Sequence, residues 1–330
     1  MSSYLVNKQL TIWIPTYRRP HQLGGLLDNL VQLGLSASAD VIVSDNDPGS
    51  PMAAGAAALP EGVAYRCNPA NLSAGVNFLR AFEHCRTPWL MIVGDDDLFE
   101  PGAGDLLTEV MRDVPRSVLA VKFDSGLFGA QKPIAASGLQ NYLDHLKPAQ
   151  YADAFNNLCL VSNWLFRTEP CRRHLGAAYL GYSSKISHLF PVLRACARDG
   201  GQMLFSSAQP LRHGSSDDSS WPKAPTWFEM TITLASFCGF VERADRAALL
   251  KLVFHADWRR MIAKCLRVHQ FYGDCSQGVG PWRVHAQLAL VSGGYRLALL
   301  LTWPLLLLPA RYLPGPILRQ LGDPGRIERW

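Results

Sequence analysis

Three consecutive acidic residues, Asp95–Asp97, follow the apolar run Pro88–Val93 with only Gly94 between them. The run is typical of a buried strand. Adjacent carboxylates repel each other, and at least one takes up a proton unless a cation neutralises it. Mg²⁺ and Mn²⁺ prefer such hard oxygen ligands and also bind diphosphates. The cluster therefore predicts a divalent-cation site, and the alternative is a solvated loop or an acidic helix N-terminus.

Two further polar clusters follow predicted strands. Thr16–Arg19 follows the run Leu10–Pro15, and Asp45–Asp47 follows the run Asp40–Ser44, with a helical pattern over His21–Leu33 between them. Strands that alternate with helices predict an α/β fold with a mostly parallel sheet flanked by helices. Ligands bind at the carboxyl ends of the strands in such sheets. We therefore expect the three clusters to share one rim and to form one site.

Four segments in this order resemble the GT-A glycosyltransferases of family 2. They read IPTYRRP at 14–20, VIVSDND at 41–47, NLSAGVNFLRAF at 71–82 and LMIVGDDDLFEPGA at 90–103. The resemblance weakens after about residue 125. It implies a Rossmann-like GT-A fold and an enzyme that uses nucleotide-diphosphate sugars, a hexosyl- or deoxyhexosyltransferase.

The resemblance also implies roles for particular residues. Thr16 and Tyr17 would border the base, Asp45 would accept a hydrogen bond from it, Asp95 would contact the ribose or the metal, and Asp97 would be the principal ligand of Mn²⁺ or Mg²⁺. The other residues that we assign to the nucleotide sugar are Arg18, Asn46, Gly75, Asn77 and Asp96.

The catalytic base is where the sequence departs from the family pattern. Family 2 members are typically inverting, so a base must take the proton of the acceptor hydroxyl. Many members carry Glu-Asp about a dozen residues before a Gly-Gly pair, but counting back from Gly200-Gly201 reaches His188. We predict His188 as the base and keep open a structural or acceptor-binding role for it. The alternative bases are Asp217, Asp218 and Asp199.

Some abequosyltransferase-like sequences that build lipopolysaccharide O-antigen units similarly lack Glu-Asp at this place. His213 follows the strand-like run Gly201–Ala208, and it is expected to reach the metal or the diphosphate, as a late histidine or basic residue does in several GT-A enzymes. Arg212 is a second candidate for the diphosphate, because a guanidinium binds phosphate oxygens in pairs.

The sequence predicts three regions. Residues 1–123 form the nucleotide-sugar-binding half of the GT-A domain, 124–235 the acceptor-binding half, and 236–330 a helical, membrane-associating extension. Residues 283–330 contain six arginines and two acids, and they include the uncharged run Leu297–Ala310 of 14 residues. A spanning helix needs about 20 residues. We therefore favour insertion in the plane of the membrane over a helix buried in the protein or in a dimer interface, and over a true span.

The composition of the chain argues against several other classes of protein. The chain of 330 residues is 48% hydrophobic and 18% charged, which excludes a disordered chain, and its net charge of +5 is too small to indicate a nucleic-acid partner. Its eight cysteines show no CxxC spacing, so no zinc or redox motif is indicated. The first ten residues show no secretory signal, and we expect a cytoplasmic enzyme on the inner face of the membrane.

The resulting hypothesis is an inverting, metal-dependent glycosyltransferase of bacterial surface polysaccharide or O-antigen assembly. Its acceptor would be a saccharide on a polyprenyl diphosphate, and a homo-oligomer is left open. One alternative is a membrane-associated, non-catalytic nucleotide-sugar-binding or scaffold protein. Another is a nucleotidyltransferase, although IPTYRRP lacks the glycine-rich phosphate loop that such an enzyme usually carries.

Overall fold

The computed structural model describes residues 8–52, 59–126, 132–179, 186–214 and 242–254. The chain divides into two compact units. Unit 1 comprises Met1–His145 and Asn156–Asp217, and it holds the sheet and the predicted site. Unit 2 comprises Leu146–Phe155 and Asp218–Trp330, and its described part is 146–155 and 242–254.

Unit 1 contains one large sheet and one small sheet. The large sheet has the strand order β3-β2-β1-β4-β8-β6-β9-β7, and the small sheet pairs β5 with β10. The strands are β1 (Leu10–Thr16), β2 (Asp40–Asp45), β3 (Val63–Cys67), β4 (Trp89–Ile92), β5 (Leu98–Phe99), β6 (Val118–Phe123), β7 (Ile134–Ala136), β8 (Trp164–Arg167), β9 (Gln202–Ser206) and β10 (Leu211–Arg212).

Helices connect most of these strands. They are α1 (Pro20–Gln32), α2 (Leu35–Ser38), α3 (Ser73–His84), α4 (Ala103–Asp113), α5 (Leu139–Leu143), α6 (Tyr151–Cys159), α7 (Thr168–Arg172), α8 (Leu175–Tyr179), α9 (Leu189–Asp199) and, in unit 2, α10 (Arg243–Phe254). Short 3₁₀ turns cover Pro148–Gln150 and Val161–Asn163.

The central strands confirm the predicted mostly parallel α/β sheet. β1 runs parallel to β2 and β4, β2 runs parallel to β3, and β6 runs parallel to β9. β8 lies between β4 and β6 and is antiparallel to both. The start of β8 therefore lies at the same rim as the carboxyl ends of β1, β2, β4 and β6. Both predicted halves of the GT-A domain, 1–123 and 124–235, contribute strands to this sheet.

The core fixes the position of that rim. Helix α1 starts with Pro20, whose ring suits the first turn, and it buries Leu23, Leu26, Leu27 and Leu30. This spacing places the four leucines on one face of the helix. They belong to the same buried cluster as alternate residues of β1 and β2. The strand ends that carry the polar clusters are therefore held in place by a close-packed hydrophobic core.

The small sheet brings two distant segments together. Leu211 pairs with Phe99 and Arg212 pairs with Leu98 in antiparallel register. Both Leu211 and Phe99 are buried in the main core. The register places the residues that follow β10 beside those that precede β5, which are Asp97 and Asp96.

None of the helices in the described ranges is both long enough and apolar enough to cross a bilayer. The run Leu297–Ala310 lies outside the described residues. The membrane-associating extension 236–330, the predicted boundaries at 123/124 and 235/236, and the oligomeric state all stay predictions.

Two glycines give opposite predictions for stability. Gly62 precedes β3 with φ +83°, and a Cβ there would lie 2.5 Å from the backbone oxygen of Ser36. Gly25 is in α1, and a Cβ there would meet no heavy atom within 4 Å. We expect Gly62→Ala to lower the free energy of unfolding by more than about 1 kcal/mol. Gly25→Ala should raise it by about 0.5–1 kcal/mol.

Urea unfolding of the two alanine variants measures both changes. A Gly62→Ala protein as stable as the parent would contradict the strained turn at this position.

Candidate active site

The acidic cluster forms a tight turn after β4. The amide of Asp97 donates to the carbonyl of Gly94 at 3.1 Å, and the amide of Gly94 donates to Ser162 Oγ at 2.9 Å. A Cβ on Gly94 would lie 2.9 Å from Asp97 Oδ2 and 3.1 Å from Asp96 Oδ1. The absent side chain therefore lets the two carboxylates fold back over the turn.

Arg19 neutralises part of the charge in this turn. Its guanidinium bridges two carboxylates, with Nη1 2.6 Å from Asp95 Oδ1 and Nη2 2.7 Å from Asp96 Oδ2. Thr16 Oγ1 donates to the other oxygen of Asp95 at 2.7 Å. Burial raises the pKa of the Asp95 carboxyl to about 6, while the bond from Thr16 and the charge of Arg19 oppose that rise. At neutral pH Asp95 is thus the ionised partner of Arg19.

His213 contacts the third carboxylate. Because β10 pairs with β5 up to Arg212, the next residue lies opposite Asp97, and His213 Nδ1 is 2.9 Å from Asp97 Oδ1. The other ring nitrogen, Nε2, is 2.9 Å from Asn163 Nδ2. A Cβ on Gly214 would lie 2.1 Å from the backbone oxygen of Asp96, so the segment after β10 packs directly on the acidic turn.

An exposed aromatic ring stands at the end of β1. Tyr17 is 37% exposed, and Arg18 Cζ lies 5.0 Å from the centre of its ring. Arg18 has φ +56° and donates from Nε to Asp47 Oδ2 at 3.0 Å. The turn after β1 thus presents a ring on which a base can stack, beside the residues that follow β2.

The end of β2 is ordered by its own hydrogen bonds. Asp45 accepts from the amide of Asp47 at 2.8 Å and from the hydroxyl of Tyr65 at 2.9 Å. Asn46 donates to the carbonyl of Ser73 at 3.1 Å, which ties this strand end to the start of α3. The structure therefore brings the predicted residues at 16–18, 45–46 and 95–97 to one rim.

Two of the predicted contact residues lie in α3. Asn77 is fully buried, donates to the carbonyl of Ser44 at 2.9 Å and accepts from Trp13 Nε1 at 3.3 Å. The prediction that Asn77 contacts the nucleotide sugar is therefore wrong, because both ends of its amide hold α3 against the sheet. Gly75 is buried and its carbonyl accepts from Ser187 Oγ at 3.1 Å, so its proximity to the donor stays a prediction.

His188 cannot serve as the base in this arrangement. It is 0% exposed, it hydrogen-bonds through Nε2 to the carbonyl of Leu158 at 3.2 Å, and its ring contacts those of Phe78, Trp164 and Phe166. Burial lowers the pKa of His188 to about 3. The prediction of His188 as the catalytic base is wrong, because the ring reaches no solvent and resists protonation.

The alternative bases divide into one that is described and two that are not. Asp199 ends α9 just before β9 and pairs with Arg173 at 3.0 Å and His174 at 3.2 Å. That place is at the amino end of β9, away from the rim, so Asp199 is excluded as well. Asp217 and Asp218 lie outside the described residues.

Arg212 is on β10 with its side chain 68% exposed and its Nε 4.0 Å from Glu100 Oε1.

The predicted metal ligands do not form one set. Within the described ranges, no three or more His, Cys, Asp or Glu side chains are placed to hold a metal ion. Asp95 is held by Thr16 and Arg19, and both ring nitrogens of His213 already have partners. His213 contacts Asp97 directly, and its role as a metal ligand stays a prediction. Asp97 alone fits as one carboxylate ligand of a cation that takes its other ligands from phosphates and water.

Several residues of the site were not predicted. Besides Arg19, they are Ser162, Asn163, Asp124 and Ser125, which follow β6 or precede β8. Asp124 and Ser125 directly follow the apolar run of β6, so the rule that found Asp45 and Asp95 would also have found them. Ser162 and Asn163 reach the rim only because β8 is reversed, which no local pattern indicated.

The family comparison agrees with this geometry. Residues 11–173 match the model of the family described as Glycosyl transferase family 2. This segment includes β1–β6 and the whole acidic turn. The matched segment, 163 of the 330 residues, is that of a family 2 glycosyltransferase with the GT-A fold.

Solved structures with a similar fold include glycosyltransferases with bound ligands. One is S. aureus TarS 1-349 in complex with UDP-GlcNAc, with 14% identity, TM-score 0.53, and coverage of 88% of this chain and 88% of that chain. At such identity the likeness shows the fold alone.

Two further similar structures hold a nucleotide together with a metal ion. Mannosyltransferase PcManGT from Pyrobaculum calidifontis, in complex with GDP-Man and Mn²⁺, has 14% identity, TM-score 0.49, and coverage of 96% and 86% of the two chains. Glucosyl-3-phosphoglycerate synthase from Mycobacterium tuberculosis, with Mg²⁺ and UDP, has 13% identity, TM-score 0.45, and coverage of 71% and 81%. No curated protein sequence matches the chain.

Adjacent arginines provide a matched test of the charge arrangement. The side chain of Arg19 is 15% exposed and bridges two carboxylates, whereas that of Arg18 is 66% exposed. Removal of Arg19 leaves two neighbouring carboxylates without their countercharge. We expect Arg19→Ala to lower the free energy of unfolding by about 2–4 kcal/mol. Arg18→Ala should leave it unchanged within error, and equal losses for both variants in urea unfolding would contradict the bridge.

The buried histidine predicts an acid-dependent loss of stability. His188 stays neutral in the folded chain, whereas the unfolded chain binds a proton near pH 6.5. The unfolded state thus gains protons that the folded state does not, and stability falls as the pH drops below that value. Between pH 7 and pH 5 the parent should lose about 2 kcal/mol more than His188→Gln.

His145→Gln is the matched control, because His145 is exposed and the same change there should leave the pH dependence as in the parent. A parent and a His188→Gln protein with the same pH dependence would mean that His188 can be protonated in the folded state.

Proposed function

We propose that this protein transfers a sugar from a nucleotide-diphosphate sugar to an acceptor hydroxyl, with inversion at the sugar carbon. One observation carries the proposal: within the family segment, a single rim joins the exposed ring of Tyr17, the carboxylate of Asp45 and the acidic turn Asp95–Asp97. Tyr17 would contact the base of the nucleotide, Asp45 would hydrogen-bond to the edge of that base, and the acidic turn would lie next to the sugar diphosphate.

The donor would bind along that rim. A pyrimidine or purine would stack on Tyr17, because aromatic rings offer a large and sequence-tolerant contact. Asp45 would accept a hydrogen bond from the base. The diphosphate would lie toward the acidic turn, with Arg212 as an exposed cationic partner.

The reaction follows from charge. The bond between the sugar C1 and the diphosphate oxygen breaks, and the electron pair leaves with the nucleoside diphosphate. The acceptor oxygen forms the new bond to C1 from the opposite face, and its proton passes to a base. With His188 and Asp199 excluded, Asp217 and Asp218 remain as candidates, and Asp217 is the proposed base.

A divalent cation, Mn²⁺ or Mg²⁺, would be held by Asp97 together with the diphosphate of the donor. When bound, it supplies positive charge that stabilises the leaving diphosphate. The chain's own contribution is to place Asp97, through the turn at Gly94 and the contact with His213.

The acceptor and the location are proposed from the sequence of the C-terminal region. An apolar run between arginines, within a basic segment at 283–330, suits the surface of an anionic membrane. A saccharide on a polyprenyl diphosphate would be presented at such a surface. We therefore place the enzyme at the cytoplasmic face of the cell membrane, in surface polysaccharide or O-antigen assembly.

Nucleotide binding tests the proposal most directly. The thermal stability of the full chain is measured with UDP, CDP, GDP and dTDP, each with and without Mn²⁺. A ligand at 100 times its Kd adds about 2.7 kcal/mol to stability. We expect one nucleotide to raise the melting temperature, more strongly with Mn²⁺ than without it. UDP is the first to try, given the ligand of S. aureus TarS.

Two carboxylate variants complete the test. Asp97→Asn should lose the Mn²⁺-dependent part of the stabilisation. Asp105→Asn, which removes an exposed carboxylate from α4, should behave as the parent. If none of the four nucleotides stabilises the chain, the catalytic proposal fails and a scaffold role takes its place.

A further inference from the structure

We propose that Tyr65 is a positioning residue for recognition of the nucleotide base, because its hydroxyl fixes the direction in which Asp45 presents its carboxylate. Tyr65 lies on β3, and its ring packs against the buried core. The inference deepens the proposed function and rests on it, since it concerns the same donor site. The hydrogen-bond arrangement itself can be tested on the chain alone.

The register of the sheet brings Tyr65 to Asp45. Tyr65 pairs with Val43 across the parallel strands β3 and β2, and Asp45 follows Val43 by two residues. Side chains two residues apart on a strand point to the same face of the sheet. The long tyrosine side chain therefore reaches diagonally along this face, and its hydroxyl lies 2.9 Å from Asp45 Oδ2.

The carboxylate of Asp45 is bound at both of its oxygens. A carboxylate only accepts hydrogen bonds, so the hydroxyl of Tyr65 must donate to Oδ2. The backbone amide of Asp47 donates to Oδ1 at 2.8 Å. Burial raises the pKa of the Tyr65 hydroxyl above its usual range, so this donor keeps its hydrogen at neutral pH.

The two bonds together determine the plane of the carboxylate. The last torsion of an aspartate side chain has only a broad preference of its own, so its neighbours decide the rotation. The bond from Asp47 holds one oxygen, and the bond from Tyr65 holds the other. Asp45 is 3% exposed, so it offers a ligand only a small part of its surface. The direction of that part decides whether an N–H group of a base can reach it.

Hydrogen bonds of the same group relate Asp45 to the ring on which the base would stack. Asp47 accepts from Arg18 Nε at 3.0 Å, and the guanidinium carbon of Arg18 lies 5.0 Å from the centre of the Tyr17 ring. A base that stacks on Tyr17 and donates to Asp45 needs both groups in one fixed relation. Tyr65 acts on this relation through Asp45, so it can be changed without removing a group that touches the base.

A double-mutant cycle tests the hydrogen bond in the full chain. Tyr65→Phe removes only the hydroxyl, and we expect it to lower the urea midpoint of unfolding. In the Asp45→Ala background the same change should cause a much smaller loss, because the acceptor is already absent. Equal losses in the two backgrounds would mean that the hydroxyl acts through another group, such as the nearby Ser50, and would overturn the inference.

Nucleotide binding tests the positioning role. Titration calorimetry gives the Kd of UDP, CDP, GDP and dTDP with Mn²⁺, and inorganic pyrophosphate with Mn²⁺ serves as a ligand that lacks a base. We expect Tyr65→Phe to raise the Kd of the nucleotide that binds the parent best by about 10-fold, because a misdirected acceptor loses its hydrogen bond to the base. The Kd of pyrophosphate should not change. An unchanged Kd of the nucleotide, or equal weakening of both ligands, would overturn the inference.

Tyr151→Phe is the matched control. Tyr151 is also partly buried, and its hydroxyl makes no hydrogen bond to the residues that the structure describes, so this variant should bind both ligands as the parent does. If none of the four nucleotides binds the parent, the proposed function fails and the role of Tyr65 in base recognition fails with it. Normal binding by the parent with an unchanged Kd in Tyr65→Phe overturns the inference alone, so the two failures are distinguishable.

Discussion

The concentration of negative charge at Asp95–Asp97 is the constraint on which the rest of the site depends. Three carboxylates stand at the end of a buried strand, where each would be unstable alone. In the structure each carboxylate has a partner. Thr16 and Arg19 contact Asp95, Arg19 also contacts Asp96, and His213 contacts Asp97. Those partners come from the turn after β1 and the segment after β10, so the charge determines which distant segments must meet.

The sheet makes that meeting possible. Parallel strands bring the turns after β1, β2, β4 and β6 to one rim, and the reversed β8 adds Ser162 and Asn163 from the other direction. The short pairing of β5 with β10 then sets His213 opposite Asp97. A shift of that pairing by one residue would replace the imidazole by Arg212 or Gly214. The residue that contacts Asp97 is therefore determined by the register of β5 and β10 more than by the acidic turn itself.

The local sequence pattern was enough to predict the rim and its polar clusters. In a parallel sheet, an apolar run followed by charged residues usually marks the carboxyl end of a buried strand, and these ends lie at one rim. The same reasoning failed at Asn77 and His188. Both lie in or next to helices, and the sequence alone does not show which face of these helices packs against the sheet. Asn77 is held by the backbone of Ser44, and the ring of His188 packs on Trp164; both partners are distant in sequence. Arg19 stood within a predicted cluster, but its partners lie 76 and 77 positions away, so its role could not be read from the sequence.

Charge balance also indicates how a donor would enter. Three carboxylates lie at this turn, and the guanidinium of Arg19 bridges two of them. A diphosphate would add more charge of the same sign, and like charges at short distance in a partly buried site are costly. Arg18 cannot relieve this, since it is engaged by Asp47. Under the proposed function, the exposed Arg212 and a cation bound to the phosphates of the donor supply positive charge against this repulsion. Asp97, which is not bridged by Arg19, is the carboxylate best placed to receive that cation.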